Sequence, residues 1–259
     1  MKIYILADME GISGIRLLEQ VQRDAREYGE GRELMMQDIN VAIEAAFEAG
    51  ATEVVACDTH AGGGQMSVAQ MDGRAVYETP NCGRMMPSLD ESFAGVILLG
   101  HHARAGTLNG FLDHTMSSAS WFEYRINGQV VGEIGIEAAY AGHYDVPVIA
   151  VSGDEAACQE AQEVLGKVEC AVVKWGIGRN RATCLSLPQA HEKIRQAIAI
   201  ALTSIDDYRP YKPALPATVR LTLYRSDMAD TLAIQPGVTR IDARTVEKTV
   251  DSLLQIKGW

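Results

Sequence analysis

Acidic and imidazole side chains follow three apolar runs of this sequence, at the point where each run ends. Asp8 and Glu10 follow residues 3–7, Asp58 and His60 follow residues 53–57, and His101 and His102 follow residues 95–99. Carboxylates and imidazoles are the common protein ligands of zinc and related metal ions. Three successive runs that end in this way predict a metal site.

Asp8 and Glu10 are two residues apart, so in an extended chain both side chains lean to the same side. Two carboxylates that are packed together repel each other unless a proton or a cation neutralises them. A bound metal ion would neutralise that repulsion. Each residue alone has an ordinary alternative: Asp8 or Asp58 as a helix cap, and His60 as a loop histidine satisfied by backbone. Their joint occurrence favours the metal site.

The elements that must position these residues alternate between strands and helices. Apolar runs bounded by turn residues predict strands at 3–7, 53–57, 95–99 and 146–151, and periodic stripes predict helices at 32–49 and 154–165. This alternation implies right-handed crossovers and an α/β fold with a mostly parallel central sheet flanked by helices. Such sheets bind ligands outside the carboxyl ends of their strands, where all three pairs of residues fall.

The rest of the chain predicts further short elements. Asn127-Gly128 indicates a two-residue hairpin between two strand-like runs, 122–126 and 129–135. Then follow a strand at 168–174, a helix from 188 to 205, a proline-bearing linker or crossing loop at 208–217, a strand at 218–224 and a helix at 245–256. We expect a metal-binding α/β domain over residues 1–175 and a smaller C-terminal α/β domain over 176–259.

Composition limits the classes of function. The chain has 259 residues, of which 47% are hydrophobic and 22% charged, and this is typical of a globular protein. We expect a cytoplasmic protein, since no membrane span or signal peptide is visible. The net charge of -11, without a basic cluster, argues against nucleic acid as a partner. The five cysteines are scattered, which argues against disulfides and thiolate zinc ligands, and we expect most of them to be small apolar fillers.

Five motifs together resemble the D-aminopeptidases of peptidase family M55, the zinc peptidases of dipeptide-transport operons. They are "ADMEGISG", "CDTH", "GHHARAG", "DHTM" and the segment that begins "VGEIGIEAAYAG". The motifs occur in the order of the family, and the resemblance extends over most of the chain. It implies a metallo-aminopeptidase that hydrolyses short peptides with N-terminal D-amino acids, such as D-Ala-D-Ala. It also implies a ring-like homo-oligomer that encloses its active sites.

The resemblance implies two zinc ions per chain and a particular set of residues. The implied ligands are Asp8, Glu10, His60, His102 and Glu133, and His114 matches the residue proposed as catalytic nucleophile or base. Five ligands are too many for one catalytic zinc, which takes three from the protein, so they suit two ions that share Asp8. His101 stands beside the implied ligand and leaves open which imidazole binds. Asp58 is expected to orient an imidazole.

Two other classes of function fit parts of the pattern. A magnesium-dependent phosphotransferase of the haloacid-dehalogenase type is suggested by "DMEG" after the first strand and by "SGDE" at 152–155, but it leaves the histidines unexplained. A non-enzymatic α/β ligand-binding domain would also place polar loops at strand ends. Chelator-sensitive peptide hydrolysis would distinguish the peptidase from both.

Overall fold

The structure is a computed structural model that describes residues 1–80 and 84–259. In chain order its helices and strands are β1 (Lys2–Ala7), α1 (Tyr28–Glu48), β2 (Glu53–Asp58), β3 (Val76–Glu78), β4 (Gly95–His101), β5 (Trp121–Ile126), β6 (Gln129–Val131), α2 (Glu133–Gly142), β7 (Val148–Asp154), α3 (Glu155–Leu165), β8 (Glu169–Gly178), β9 (Arg181–Cys184), α4 (Leu187–Thr203), β10 (Ala217–Leu223), α5 (Ser226–Ala233), β11 (Thr239–Arg240) and β12 (Thr245–Val250).

A seven-stranded sheet forms the centre of the molecule, in the order β3-β2-β1-β4-β7-β8-β9. Every neighbouring pair is parallel except β8 and β9. This sheet confirms the predicted α/β fold with a mostly parallel centre. Because β2, β1 and β4 are neighbours, their carboxyl ends lie side by side, and the three pairs of polar residues meet at one edge.

Both faces of the central sheet are buried, as its apolar strands predict. Ile3 and Ile5 of β1 pack on one face in a core with α1 and α4. Tyr4 and Leu6 point to the other face, into a core that includes α2, α3 and a second sheet. Since successive side chains of a strand alternate, β1 contributes to both cores and is held rigidly in place. The residues that directly follow β1 are therefore held in a fixed position.

The second sheet is antiparallel, in the order β11-β12-β10-β5-β6. The hairpin predicted at Asn127-Gly128 joins β5 to β6, and both residues have the positive φ of a type I′ turn. The sheet combines strands from both sides of residue 176, and β8 runs across that position. The division into domains 1–175 and 176–259 stays a prediction.

The helix predicted for residues 245–256 is wrong. Residues Thr245–Val250 form β12, and a single 3-10 turn follows at Leu253–Gln255. The segment "TVEKTV" is rich in β-branched residues, and β12 pairs along its whole length with β10. The spacing of Val246 and Val250 fits one face of a helix. In the structure both are buried side chains on one face of a strand.

Among the residues that the structure describes, no helix is both long enough and apolar enough to cross a membrane. The cytoplasmic location stays a prediction. Cys57 and Cys158 are free and buried, as fillers would be, whereas Cys170 and Cys184 are partly exposed. Cys82, the fifth cysteine, lies outside the described residues.

Candidate metal centre

The ends of β1, β2 and β4 deliver three of the predicted ligands. Asp8 directly follows β1, His60 stands two residues after β2, and His102 directly follows β4. The parallel register sets Ala7 opposite Asp58 on one side and opposite Leu99 on the other. The strand pairing therefore places Asp8 between the two imidazoles.

Glu10 lies in a tight turn, and position 11 of this turn has room only for glycine. The N–H of Gly11 donates to the carbonyl of Gly100 over 2.7 Å, so the turn presses against the end of β4. A Cβ on Gly11 would lie 2.1 Å from the carbonyl oxygen of His101. Gly14 closes the turn with a φ of +79°, a conformation that favours glycine. The glycine-rich stretch thus brings Glu10 close to the ends of the strands.

The two carboxylate oxygens of Asp8 face different partners. Oδ1 lies 3.2 Å from Nδ1 of His60, and that nitrogen lies 3.0 Å from Oε2 of Glu10. Oδ2 lies 3.3 Å from Nε2 of His102, which lies 3.2 Å from Oε1 of Glu133. Asp8 therefore joins two groups, one with Glu10 and His60 and one with His102 and Glu133.

His60, His102 and His114 each turn one ring nitrogen toward these carboxylates and the other toward a backbone carbonyl. Their other ring nitrogens lie 2.9 to 3.0 Å from backbone carbonyls, which can only accept a hydrogen bond: those of Val21 for His60, Ala103 for His102 and Leu112 for His114. The carbonyl-facing nitrogen therefore carries the proton in the neutral ring. A histidine held in this way by a carbonyl is the usual arrangement for a metal ligand.

Glu133 reaches the centre from the start of a helix. The second run of the hairpin ends at Val131 rather than continuing, and Glu133 is the first residue of α2. Its Oε1 accepts a hydrogen bond from the N–H of Met116 over 2.8 Å and lies 3.4 Å from Nε2 of His114. The His114 ring stacks on His102 with centroids 4.0 Å apart.

The carboxylates of the centre favour positive charge on the groups beside them. Burial alone would raise the pKa of Asp8, but the neighbouring imidazoles of His102 and His60 hold this pKa well below its ordinary value. Burial would lower the pKa of His60, but Glu10 and Asp8 outweigh it and raise this pKa to about 12. The pKa of Glu133, which burial would raise, falls to about 2 beside His102 and His114. Without a metal, these carboxylates favour the protonated forms of His60 and His102, whose pKa values they raise.

His101 faces away from the carboxylates that His102 faces. Its Nε2 lies 2.6 Å from Oε2 of Glu137, and both side chains are buried. The geometry thus favours His102 over His101 as the ligand. Glu137 was not predicted, although its spacing of one helical turn from Glu133 is a signal for the same helix face.

The expectation that Asp58 orients an imidazole is wrong. Its Oδ2 accepts a hydrogen bond from the N–H of Gln65, in its own loop, and Gln65 in turn donates to the carbonyl of His60. Asp58 therefore shapes the loop that carries His60 instead of bonding to the ring. A side chain at a strand end satisfies the nearest backbone donor when the loop folds back over it.

The residues present fit metal ions. Two sets of side chains, Asp8 with Glu10 and His60, and His102 with His114 and Glu133, place their donor atoms within 4.8 Å of one another. Nε2 of His102 is buried and has no hydrogen-bond partner among the described residues. A buried lone pair between two carboxylates is unfavourable unless a cation or proton lies there. The mixed nitrogen and oxygen donors are those of zinc sites.

A cavity of about 900 Å³ opens over the centre. Asp8, Glu10, His60, His114 and Glu133 all line it, whereas His102 lies beneath. The structure thus brings together all six of the ligand and catalytic residues expected from the sequence.

Comparison with known proteins agrees with this geometry. The family model Peptidase M55, described as D-aminopeptidase, matches residues 1–259. A D-aminopeptidase of Bacillus subtilis (strain 168) is 35% identical over 239 residues, which are 92% of this chain and 86% of that protein. Neither alternative, phosphotransferase or binding domain, finds support in these matches.

A solved structure is similar along almost the whole chain. It is described as the Zn-dependent D-aminopeptidase DppA from Bacillus subtilis, a self-compartmentalizing protease, and it superposes with a TM-score of 0.95 at 33% identity, covering 99% of this chain and 94% of that one. Because the family model matches every residue, this chain belongs to the peptidase M55 family of D-aminopeptidases.

Proposed function

We propose that this protein is a zinc-dependent aminopeptidase that removes N-terminal D-amino acids from short peptides such as D-Ala-D-Ala. Family membership and the zinc dependence of the solved relative support the reaction and the metal. The observation that carries the proposal is the position of Asp8, because its two oxygens face two separate sets of donors. Such a carboxylate is suited to a pair of ions.

The proposed ligands follow the two groups. Asp8 is shared, Glu10 and His60 complete one zinc site, and His102 and Glu133 complete the other. His114 is left for catalysis, although its Nε2 also faces Glu133. The side chain of His114 is 15% exposed and lines the cavity, whereas that of His102 is 1% exposed and buried beneath. A residue that must reach the substrate is expected at the cavity wall.

Zinc ions in these sites would supply Lewis acidity, which polarises the scissile carbonyl and makes a water acidic near neutral pH. The chain supplies the proton transfer. The carbonyl of Leu112 accepts a hydrogen bond from Nδ1–H of His114, so the lone pair lies on Nε2, beside Glu133 in the wall of the cavity. Nε2 takes the proton as water oxygen attacks the carbonyl carbon, and gives it to the amine nitrogen as the C–N bond breaks.

We also propose that the protein forms a ring-like homo-oligomer. The solved relative is described as self-compartmentalizing, which supports an assembly around the active sites. Large apolar side chains on the surface of this chain add support: Leu108 is 86% exposed, Ile234 85% and Val68 82%. Light scattering coupled to size-exclusion chromatography tests the assembly, and a monomer at micromolar concentration would contradict it.

Metal analysis combined with chelation tests the proposed function. We expect two zinc equivalents per chain and hydrolysis of D-Ala-D-Ala to D-Ala. Removal of the metal with a chelator, followed by dialysis, should abolish hydrolysis, and added zinc should restore it. Hydrolysis at the full rate by a metal-free chain would contradict the proposal.

A further inference from the structure

A buried lysine lies behind the metal centre and contributes no atom to it. Lys174 belongs to β8 and is 0% exposed. Its Nζ donates to the carbonyls of Glu10, Ile12 and Ile15 over 2.8, 2.6 and 2.7 Å. All three acceptors belong to residues 8–15, which we call the ligand loop because it carries Asp8 and Glu10.

The three contacts use the full capacity of the ammonium group. Lysine is the side chain that offers three donors from one point, and every donor of Lys174 meets a carbonyl. A buried charge without partners would be strongly unfavourable, and three carbonyls turned inward without donors would be too. The ammonium and the curved ligand loop therefore satisfy each other, and the loop is folded around the lysine.

A buried carboxylate holds the same loop through one of its N–H groups. Oδ2 of Asp38, in α1, accepts from the N–H of Ser13 over 2.8 Å, and Asp38 is 0% exposed. Its Oδ1 lies 3.1 Å from Nε2 of His191. Carbonyls of the loop thus face Lys174 of β8, and an N–H group faces Asp38 of α1. The loop is fixed between two elements that contribute no side chain to the metal centre.

We propose that Lys174 is a positioning residue for Glu10. The inference depends on the proposed zinc function. Lys174 holds the main-chain carbonyl of Glu10 itself, and so sets the direction in which the Glu10 carboxylate leaves the chain, toward His60. Asp38 supports the same geometry three residues further along. A lone lysine within the apolar strand "ECAVVKWGIG" is the sequence signal for this role.

A double-mutant cycle on zinc affinity tests the proposal. Lys174→Met should weaken zinc binding about 10- to 100-fold, as is typical when a partner that orients a ligand is lost. In the Glu10→Gln background the same change should cost less than about threefold, because a residue that acts through Glu10 has nothing left to position. Affinity is measured by competition with a chromogenic chelator, on protein shown to be folded by circular dichroism.

Tyr208→Phe is the matched control. Tyr208 is buried, and its hydroxyl donates over 2.9 Å to Oε1 of Glu169, the first residue of β8. Its loss removes a partly buried hydrogen bond from the same strand and should leave zinc affinity unchanged in both backgrounds. If Lys174→Met does not fold, Lys174→Gln keeps an amide donor in the same space and is expected to show a smaller loss with the same dependence on Glu10.

The outcomes separate this inference from the proposed function. Equal losses with and without Glu10, or unchanged affinity in a folded Lys174 variant, would overturn the positioning role while leaving the zinc peptidase intact. A wild-type chain that binds no zinc would overturn the proposed function and this inference with it. A loss that requires Glu10 supports both.

Discussion

Asp8 turns its Oδ2 toward His102, whose Nε2 is 3.3 Å away, while its Oδ1 faces the opposite group. The two residues follow neighbouring parallel strands, β1 and β4, so their approach is a consequence of the sheet and not of a flexible loop. A carboxylate placed in this way can hold two ions at once. The metal content of the centre should therefore depend on Asp8 more than on any other single ligand.

Replacement of Asp8 should empty the centre. Asp8→Ala removes the shared carboxylate from both proposed sites, so metal analysis should show a fall from two zinc equivalents per chain to less than one. Asp24→Ala is the control, since Asp24 is an acid that lines the cavity without belonging to either group of donors. Two equivalents retained by Asp8→Ala would exclude a bridging role for Asp8.

Replacement of His114 should separate catalysis from metal binding. His114→Ala should keep both zinc equivalents and reduce kcat about 10²- to 10⁴-fold, the range expected for loss of a general acid or base. KM should change little, because the proposed ligands remain. His143→Ala, at an exposed histidine outside the cavity, should behave as wild type.

Two results would revise this assignment in different ways. Near wild-type turnover of His114→Ala would remove His114 from the mechanism. Loss of one zinc equivalent would instead make His114 a ligand, consistent with its 3.4 Å separation from Glu133.

A methyl group at Gly11 should damage both the fold and the centre. The added Cβ would lie 2.1 Å from the carbonyl oxygen of His101, so the ligand loop must move away from β4. Overpacking of this kind costs about 1–3 kcal/mol or more. Urea unfolding of Gly11→Ala should show that loss, and hydrolysis should fall with it.

Gly73→Ala provides the comparison for this glycine. The backbone of Gly73 does not have a positive φ, and no atom lies within 4 Å of the place that its new methyl group would take. The substitution should therefore change the free energy of unfolding by less than about 0.5 kcal/mol. Equal stability of the two alanine variants would show that the contact between Gly11 and His101 does not constrain the loop.

The sequence was sufficient to predict the part of the centre that depends on strands. Asp8, His60 and His102 follow apolar runs, and parallel pairing brings such strand ends together. It was insufficient where the path of a loop decides. Asp58 bonds to its own loop at Gln65, and Lys174 contacts a turn that is distant in the chain, so the sequence around each residue does not identify its partner.

The same limit applies to the C-terminal part. The spacing of Val246 and Val250 fits one face of a helix, but pairing with β10 makes the segment a strand. Pairing with β10 and the β-branched residues of the segment together outweigh the helical spacing. The family resemblance identifies Glu133 as an implied ligand, but the sequence pattern does not predict that Glu133 begins α2.

The most direct test of the D-specific zinc peptidase is a comparison of D-Ala-D-Ala with L-Ala-L-Ala as substrates of the zinc-loaded protein, with and without chelator. We expect release of alanine from the D-peptide to be faster, and chelator to stop it. Equal or faster hydrolysis of the L-peptide would contradict the D-specific assignment, and hydrolysis that survives removal of the metal would contradict the two-zinc centre at Asp8.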